Sequence, residues 1–280
     1  MVRRWERTTS TEPGSAGNGS GEDGSLEHGG LEGGQLRRMP DEVIVEEPLE
    51  IRLDDHLITT TMRTPGHDYE LAAGFCFTEG ALGDGPVLDV RYCATGSAIS
   101  TEFNVVTVST GGRAPVPEPR LTTTTSSCGV CGSASLEGLR DRLVPLAHPV
   151  LFEPEVMADV VASVVSDQGL FTITGGVHAA AAFGVDGTIE IVREDIGRHN
   201  AVDKVVGRLM LDNRLPAANL GLFVSGRASF EIIQKAWAAG FSAVVAVSAP
   251  SSMAVEAARA AGLTLAGFAR SGRMNIYAPA

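Results

Sequence analysis

The chain has only four cysteines in 280 residues, Cys76, Cys93, Cys128 and Cys131. They are too few and too unevenly spaced for the disulfide framework of a small secreted domain. Positive charge is also scarce. Lys and Arg number 22 against 34 Asp and Glu, a formal net charge of -12, so nucleic acid and anionic membrane are repelled overall and an anionic ligand needs a local basic pocket. No run is long and apolar enough to span a membrane. Trp5-Glu6-Arg7-Thr8 follows Arg3 and Arg4 where a secretory or twin-arginine signal needs an apolar segment. These absences predict a cytoplasmic protein with neither a nucleic-acid nor a membrane partner.

What is present suffices for a substantial core, since 44% of the residues are hydrophobic. Residues 8–38 contain almost no large apolar side chain, and burial there cannot offset the entropy of ordering them. A disordered tail is expected over residues 1–40, then an N-terminal α+β domain over 41–122, a linker over 123–153 and a larger domain over 154–280. In the first domain, Val43 and Val45 with Leu49, Ile51 and Leu53 give period-two patterns on either side of Glu46-Glu47-Pro48, as in a hairpin. Asp68 is placed to cap a helix through Glu79, and Val87 to Tyr92 and Phe103 to Val108 read as strands.

The larger domain opens with a helical face at Val156, Val160, Val161, Val164 and Val165. Alternation from Val177 to Phe183, the turn Asp186-Gly187 and then Ile189 and Ile191 predict an antiparallel hairpin. A regular βαβαβ order follows, with helices near 200–211, 229–239 and 252–261 and strands near 220–224, 243–247 and 263–268. Short connections imply parallel strands and right-handed crossovers, so ligands are expected at the carboxyl ends of the strands. Those ends carry Ser225-Gly226-Arg227-Ala228-Ser229, Ser251-Ser252 and Ala269-Arg270-Ser271-Gly272-Arg273. Helix-start amides and the guanidinium groups of Arg227, Arg270 and Arg273 suit phosphoryl oxygens. Ordinary helix caps with solvated arginines are the rival reading, and no dinucleotide or P-loop fingerprint is present.

Glu194, Asp195, His199, Asn200 and Asp203 form a polar cluster of the kind used in acid/base work or ligand positioning, with helix capping as the structural alternative. His178 could line a pocket on the open side of its strand, but it and His67 read rather as hydrogen-bonded structural residues, and Cys76 and Cys93 as small hydrophobes. Ser127-Cys128-Gly129-Val130-Cys131-Gly132 is different: two thiols lie in a loop of small residues after the run Thr122 to Thr125. Such a pair can bind zinc, cycle as a dithiol and disulfide, or carry sulfur as a persulfide. A closed zinc site needs four ligands, and no second Cys-x-x-Cys is present. A thioredoxin-like pair belongs where a strand meets its helix, not in a linker. Sulfur carriage stands beside these as a serious candidate.

These blocks, with Thr64-Pro65-Gly66-His67-Asp68, Leu71-Ala72-Ala73-Gly74-Phe75, Thr174-Gly175-Gly176-Val177-His178 and the run Arg193 to Lys204, closely resemble the FdhD family of formate dehydrogenase accessory sulfurtransferases from about Val43 to Tyr277. The resemblance implies an α/β fold: a three-layer, cytidine deaminase-like C-terminal domain with a mixed sheet, beside a smaller α+β domain. It implies sulfur transfer from a cysteine desulfurase to the molybdenum, or tungsten, bis-guanine-dinucleotide cofactor, handled as a bound substrate on its way into formate dehydrogenase. Cys128 would carry the persulfide with Cys131 as its partner, in a homodimer. Phe268, Ala269, Arg270, Ser271, Gly272 and Arg273 would bind the cofactor or a guanine nucleotide, with Ser225, Gly226, Arg227 and His199 alongside. Deaminases hold zinc with a His or Cys at one helix start and Pro-Cys-x-x-Cys at the next. His199 fills the first place, but Ser225 to Ser229 brings no cysteine to the second, so no permanent metal is expected. A non-catalytic cofactor chaperone with structural or zinc-binding cysteines is the alternative.

Overall fold

The computed structural model describes residues 2–7, 34–92, 99, 101–116 and 143–278. It divides into two compact units, Met1–Val43 and Ile44–Ala280. In the first, β1 (Val2–Arg7) pairs antiparallel with β2 (Gly34–Met39).

The second unit contains two sheets. A four-stranded sheet has the order β4-β3-β6-β5, formed by β3 (Glu47–Leu53), β4 (His56–Arg63), β5 (Asp89–Tyr92) and β6 (Val105–Ser109). The expected hairpin around Glu46-Glu47-Pro48 is displaced: the turn falls at Asp54 and Asp55, whose φ values are 44° and 69°. Asp tolerates the left-handed region, whereas Val43 and Val45 stay 78% and 55% exposed and have no core to face. Leu49, Ile51 and Leu53 of β3 pack with Val106 and Val108 against Leu71, Ala72, Phe75 and Cys76 of helix α1 (Asp68–Thr78). Asp68 is not the cap of this helix. It lies inside the first turn, accepts from Arg63 Nε at 3.1 Å and Nη2 at 2.9 Å, and accepts again from the Tyr92 hydroxyl at 3.0 Å.

The six-stranded sheet has the order β12-β11-β10-β9-β7-β8. Its parallel centre is β9 (Gly221–Val224), β10 (Ala243–Ala246) and β11 (Thr264–Arg270), flanked by the antiparallel hairpin β7 (His178–Phe183) and β8 (Ile189–Asp195). β12 (Arg273–Ala278) adds an antiparallel edge strand. Its exposed Asn275 and Ile276 break the apolar alternation by which a strand is read from sequence.

Side-chain alternation splits the core. Ala180, Ala182, Leu222, Val224, Val244 and Ala246 face α4 (Arg198–Leu211), α5 (Phe230–Ala239) and α6 (Ser252–Ala261). Ala181, Phe183, Phe223, Ala243 and Val245 face α2 (Pro154–Ser166). The result is the expected mixed α/β class, a sheet between two helical layers. A further short helix, α3 (Gly169–Thr174), has no buried residue and hence no apolar periodicity to announce it.

α1 crosses α4 with their backbones in contact. A β-carbon on Gly74 would lie 1.9 Å from the Asp203 carbonyl oxygen, and one on Gly207 would lie 1.8 Å from that of Glu70. Beside the crossing, Lys235 Nζ of α5 donates to Asp203 Oδ2 at 3.0 Å, Glu79 Oε1 at 2.9 Å and Thr78 Oγ1 at 2.9 Å. Burial pushes the Asp203 carboxyl up to about 6 against the pull of Lys235. Burial works to lower the Lys235 pKa, but Asp203 and Glu79 raise it on balance, so the ammonium stays charged. Gly207→Ala is therefore expected to cost about 3 kcal/mol or more, because a rigid backbone rather than a side chain must move. Urea denaturation measures this, and an unchanged midpoint would rule out the close crossing.

Candidate functional site at the strand ends

β7 runs antiparallel to both β8 and β9, so β8 is parallel to β9, β10 and β11. The loops after all four therefore leave the same edge of the sheet. β8 delivers Asp195 to His199, β9 delivers Ser225 to Ser229, β10 delivers Ser248 to Ser251, and β11 delivers Phe268 to Arg273. His178, at the start of β7, reaches the same edge.

Backbone bonds tie three of these loops together. Ser248 N–H donates to Gly226 O at 3.2 Å, Ser251 N–H to Ala228 O at 3.1 Å, and Phe268 N–H to Ser248 O at 3.2 Å. Phe268 sits at an irregularity in the β11–β12 register, with φ 52° and 45% of its surface exposed. An aromatic residue in the left-handed region is strained, and neighbouring structure must hold it there. Arg270 braces the loop from below, donating from Nη1 to Ala269 O at 2.8 Å and also to Val247 O. Ala269 is buried beneath it, while Arg227, Ser271, Gly272 and Arg273 are exposed.

The serines divide their work. Ser251 caps α6 by accepting from Ala254 N–H at 3.2 Å, and the Ser225 hydroxyl accepts from Ala179 N–H at 2.9 Å. Ser229 stands at the N-cap of α5 without making a cap bond; its Oγ lies 3.4 Å from His199 Nε2. Glu231 is 4.0 Å from that same nitrogen. Burial, then the nearby Lys235 and Arg198 charges, push the His199 imidazole down to about 4. His199 is thus neutral near pH 7 and occupies the junction of the α4 and α5 starts. Among the described residues, no group of three His, Cys, Asp or Glu could hold a metal ion.

The run Arg193 to Lys204 has a different role from the acid/base cluster suggested by its composition. Asp195 and Lys204 form a buried pair at 2.7 Å, with side chains 0% and 1% exposed. Lys204 also donates to Thr64 O at 3.0 Å and Glu194 O at 3.2 Å, and Asp195 accepts from the backbone N–H of Thr64 at 3.2 Å and of Gly197 at 2.8 Å. Asn200 is inside α4 rather than capping it, and donates to Met62 O at 2.8 Å and Asp195 Oδ1 at 3.0 Å. Glu194 accepts from the N–H groups of Leu170 and Phe171 at the start of α3. Asp195, Asn200 and Lys204 thus fasten the end of β4 to the start of α4, while Glu194 ties β8 to α3.

Two further residues reach the strand ends: His178, for which the sequence favours a structural role, and Arg198, which it does not single out. His178 Nδ1 is 3.5 Å from Ser225 Oγ, and burial followed by the Arg198 charge lowers its pKa. Arg198 opens α4, where Gly197 provides no side-chain cap, and its Nε is buried without a hydrogen-bond partner. Nothing in the spacing of Gly197-Arg198-His199 distinguishes that arginine from a solvated one. Cys128, Cys131 and Cys93 lie outside the described residues. Cys76 is fully buried, its thiol pushed up to about 12 by burial and by Asp203 and Glu79, which suits the small hydrophobe expected there.

By fold, then, this is a mixed α/β protein whose polar loops gather at the carboxyl ends of its parallel strands. By sequence, it belongs to the FdhD/NarQ family, whose model matches residues 44–280. Similar curated proteins are the "Sulfur carrier protein FdhD" of Nocardia farcinica, 49% identical over 87% of this chain and 88% of that one, and its namesake in Streptomyces coelicolor, 49% identical over 86% and 88%. The Mycobacterium tuberculosis protein of the same name is 45% identical over 87% and 92%. Among solved structures, the crystal structure of a candidate formate dehydrogenase accessory protein from Desulfotalea psychrophila superposes with a TM-score of 0.66 at 25% identity, covering 88% of this chain and 91% of that chain.

Two outcomes follow from this geometry. Lys204→Met should cost about 3–5 kcal/mol by leaving Asp195 buried and unpaired; loss of less than 1 kcal/mol in urea denaturation would show that Asp195 has other compensation. His199, ordinarily near 6.5 and here at about 4, takes a proton in the unfolded chain before it does in the fold. Its share of stability is therefore lost as pH falls from about 6.5 to 4, by about 3 kcal/mol. The difference between wild type and His199→Gln across that window isolates it, and a flat difference would contradict a neutral, buried imidazole.

Proposed function

We propose that the protein is a sulfur carrier serving formate dehydrogenase, with Cys128 as the carrier thiol. The observation that carries this reading is membership of a family whose curated members are named sulfur carriers, in a chain whose only paired thiols are Cys128 and Cys131. The buried, high-pKa Cys76 is a poor nucleophile, since the thiolate is the reactive form.

In this reading the Cys128 thiolate attacks the terminal sulfur of a cysteine desulfurase persulfide. The desulfurase thiolate leaves, and Cys128 holds the extra sulfur as its own persulfide. Attack by Cys131 on Cys128 Sγ then expels hydrosulfide towards the acceptor and leaves a Cys128–Cys131 disulfide, which a dithiol reductant returns to thiols. The acceptor is the molybdenum or tungsten bis-guanine-dinucleotide cofactor, bound as substrate before it enters formate dehydrogenase. The strand-end edge suits the nucleotide ends of such a substrate: exposed Arg227 and Arg273, the starts of α4 and α5, and the Phe268 loop all meet there. A cytoplasmic homodimer completes the proposal; among the described residues, no helix is long and apolar enough to cross a membrane.

The test is to incubate the protein with a cysteine desulfurase and cysteine and to look for one added sulfur by peptide mass spectrometry. The Cys128 peptide should carry it in wild type and in Cys131→Ala, and Cys128→Ala should carry none. Absence of the adduct from an active wild-type preparation would overturn the carrier reading.

A further inference from the structure

We propose that Arg198 is the phosphate-binding residue of the strand-end edge, taking a phosphoanhydride oxygen of a nucleotide ligand alongside the starts of α4 and α5. The proposal deepens the reading of that edge as the site for a dinucleotide-type substrate, and rests on it.

The first ground is an orphaned donor. Among the described residues, Arg198 Nε is the one buried side-chain nitrogen or oxygen without a hydrogen-bond partner. Leaving such a donor unmet costs roughly 1–3 kcal/mol, more where it is charged. Other inward-facing arginines in this chain are paired: Arg63 with Asp68, Glu47 and Asn104, and Arg193 with Glu70. The exception therefore lies in the one place where ligands of parallel sheets gather.

The second ground is open space beside that donor. A β-carbon on Gly226 would lie 3.5 Å from His178 Nδ1 and 3.6 Å from Arg198 Cδ. An alanine would just fit, so the glycine leaves a gap between the two side chains that a ligand oxygen can enter. Two helices of full length, α4 and α5, begin at this edge with no side-chain cap, leaving first-turn amides turned the same way.

The third ground is charge. His178 is lowered by burial and then Arg198, and His199 by burial, then Lys235 and Arg198, so near pH 7 both are neutral; Lys235 is committed to Asp203 and Glu79, which leaves the Arg198 guanidinium as the cation free for a ligand. Glu231 is turned to Ser229 and His199, 4.0 Å from His199 Nε2; against burial, hydrogen bonding lowers its carboxyl, and the Arg198 charge only adds to that lowering. A half-buried guanidinium, two helix starts and the exposed Arg227 next door favour a multiply charged anion over a single carboxylate, and the planar fork matches phosphoryl oxygens.

The experiment is calorimetric titration of the full-length protein with GDP, inorganic pyrophosphate and guanosine. Wild type should bind GDP and pyrophosphate, and Arg198→Gln should weaken both at least tenfold. Gly226→Val, which fills the gap while leaving Arg198 in place, should do the same and keeps the test valid if Arg198→Gln fails to fold. Arg208→Gln, at the far end of α4 where Arg208 pairs with Asp212, should change nothing, which separates a local effect from loss of one charge. GDP binding without pyrophosphate binding, or wild-type affinity in both site variants, would overturn the role of Arg198. If wild type binds neither anion, the reading of the edge as a nucleotide site fails first.

Discussion

Gly74 of α1 and Gly207 of α4 let two helices meet backbone to backbone, and the geometry of the strand-end site depends on that contact. With any side chain at either position, α1 would be pushed away from α4. The Thr78–Asp203–Lys235–Glu79 network beside the crossing would then lose its registration. A network of buried charges is tolerable only when every member is met, so steric closeness and polar satisfaction are one constraint here.

The constraint runs on into the strand-end edge. Thr64, just past the end of β4, and Lys204, nearly two turns into α4, converge on Asp195 at the end of β8. That junction sets where α4 begins, and the beginning of α4 is Arg198 and His199. The four-stranded sheet and α1 thus act on the site from a distance, by fixing the helix from which two of its side chains project. Asp195, with Glu194 and Asp203, reads from sequence as part of an acid/base or ligand-positioning cluster because both buried structural pairs and catalytic groups use charged residues close together. Burial and partner count, which sequence does not display, tell them apart.

Much of the six-stranded sheet was legible from residues alone. Gly221 to Val224 and Ala243 to Ala246 are short apolar runs punctuated by Gly, Ser and Pro, and the amphipathic stretches between them have helical length. The strand-end loops followed from that order, and Ser225 to Ser229 and Phe268 to Arg273 do share an edge. What escaped lacked a local signal: α3 buries nothing, β12 breaks the apolar alternation, and the β3–β4 turn rests on two aspartates rather than on a Gly or Pro. The significance of Gly74 and Gly207 is also invisible locally, because it arises from residues 133 positions apart meeting in space. The Cys128–Cys131 pair was the most conspicuous motif and lies outside the described residues, so its chemistry is argued from thiol reactivity and family membership.

The central claim is that sulfur held on Cys128 is delivered to a cofactor bound at the strand ends. Protein loaded with isotopically labelled sulfur, freed of desulfurase and mixed with desulfurated bis-guanine-dinucleotide cofactor, tests it in a single turnover. The account predicts that label leaves the protein and appears on the cofactor in a one-to-one ratio, and that excess GDP suppresses the transfer. Label that remains on the protein, or that reaches the cofactor equally well from Cys128→Ala, would contradict it.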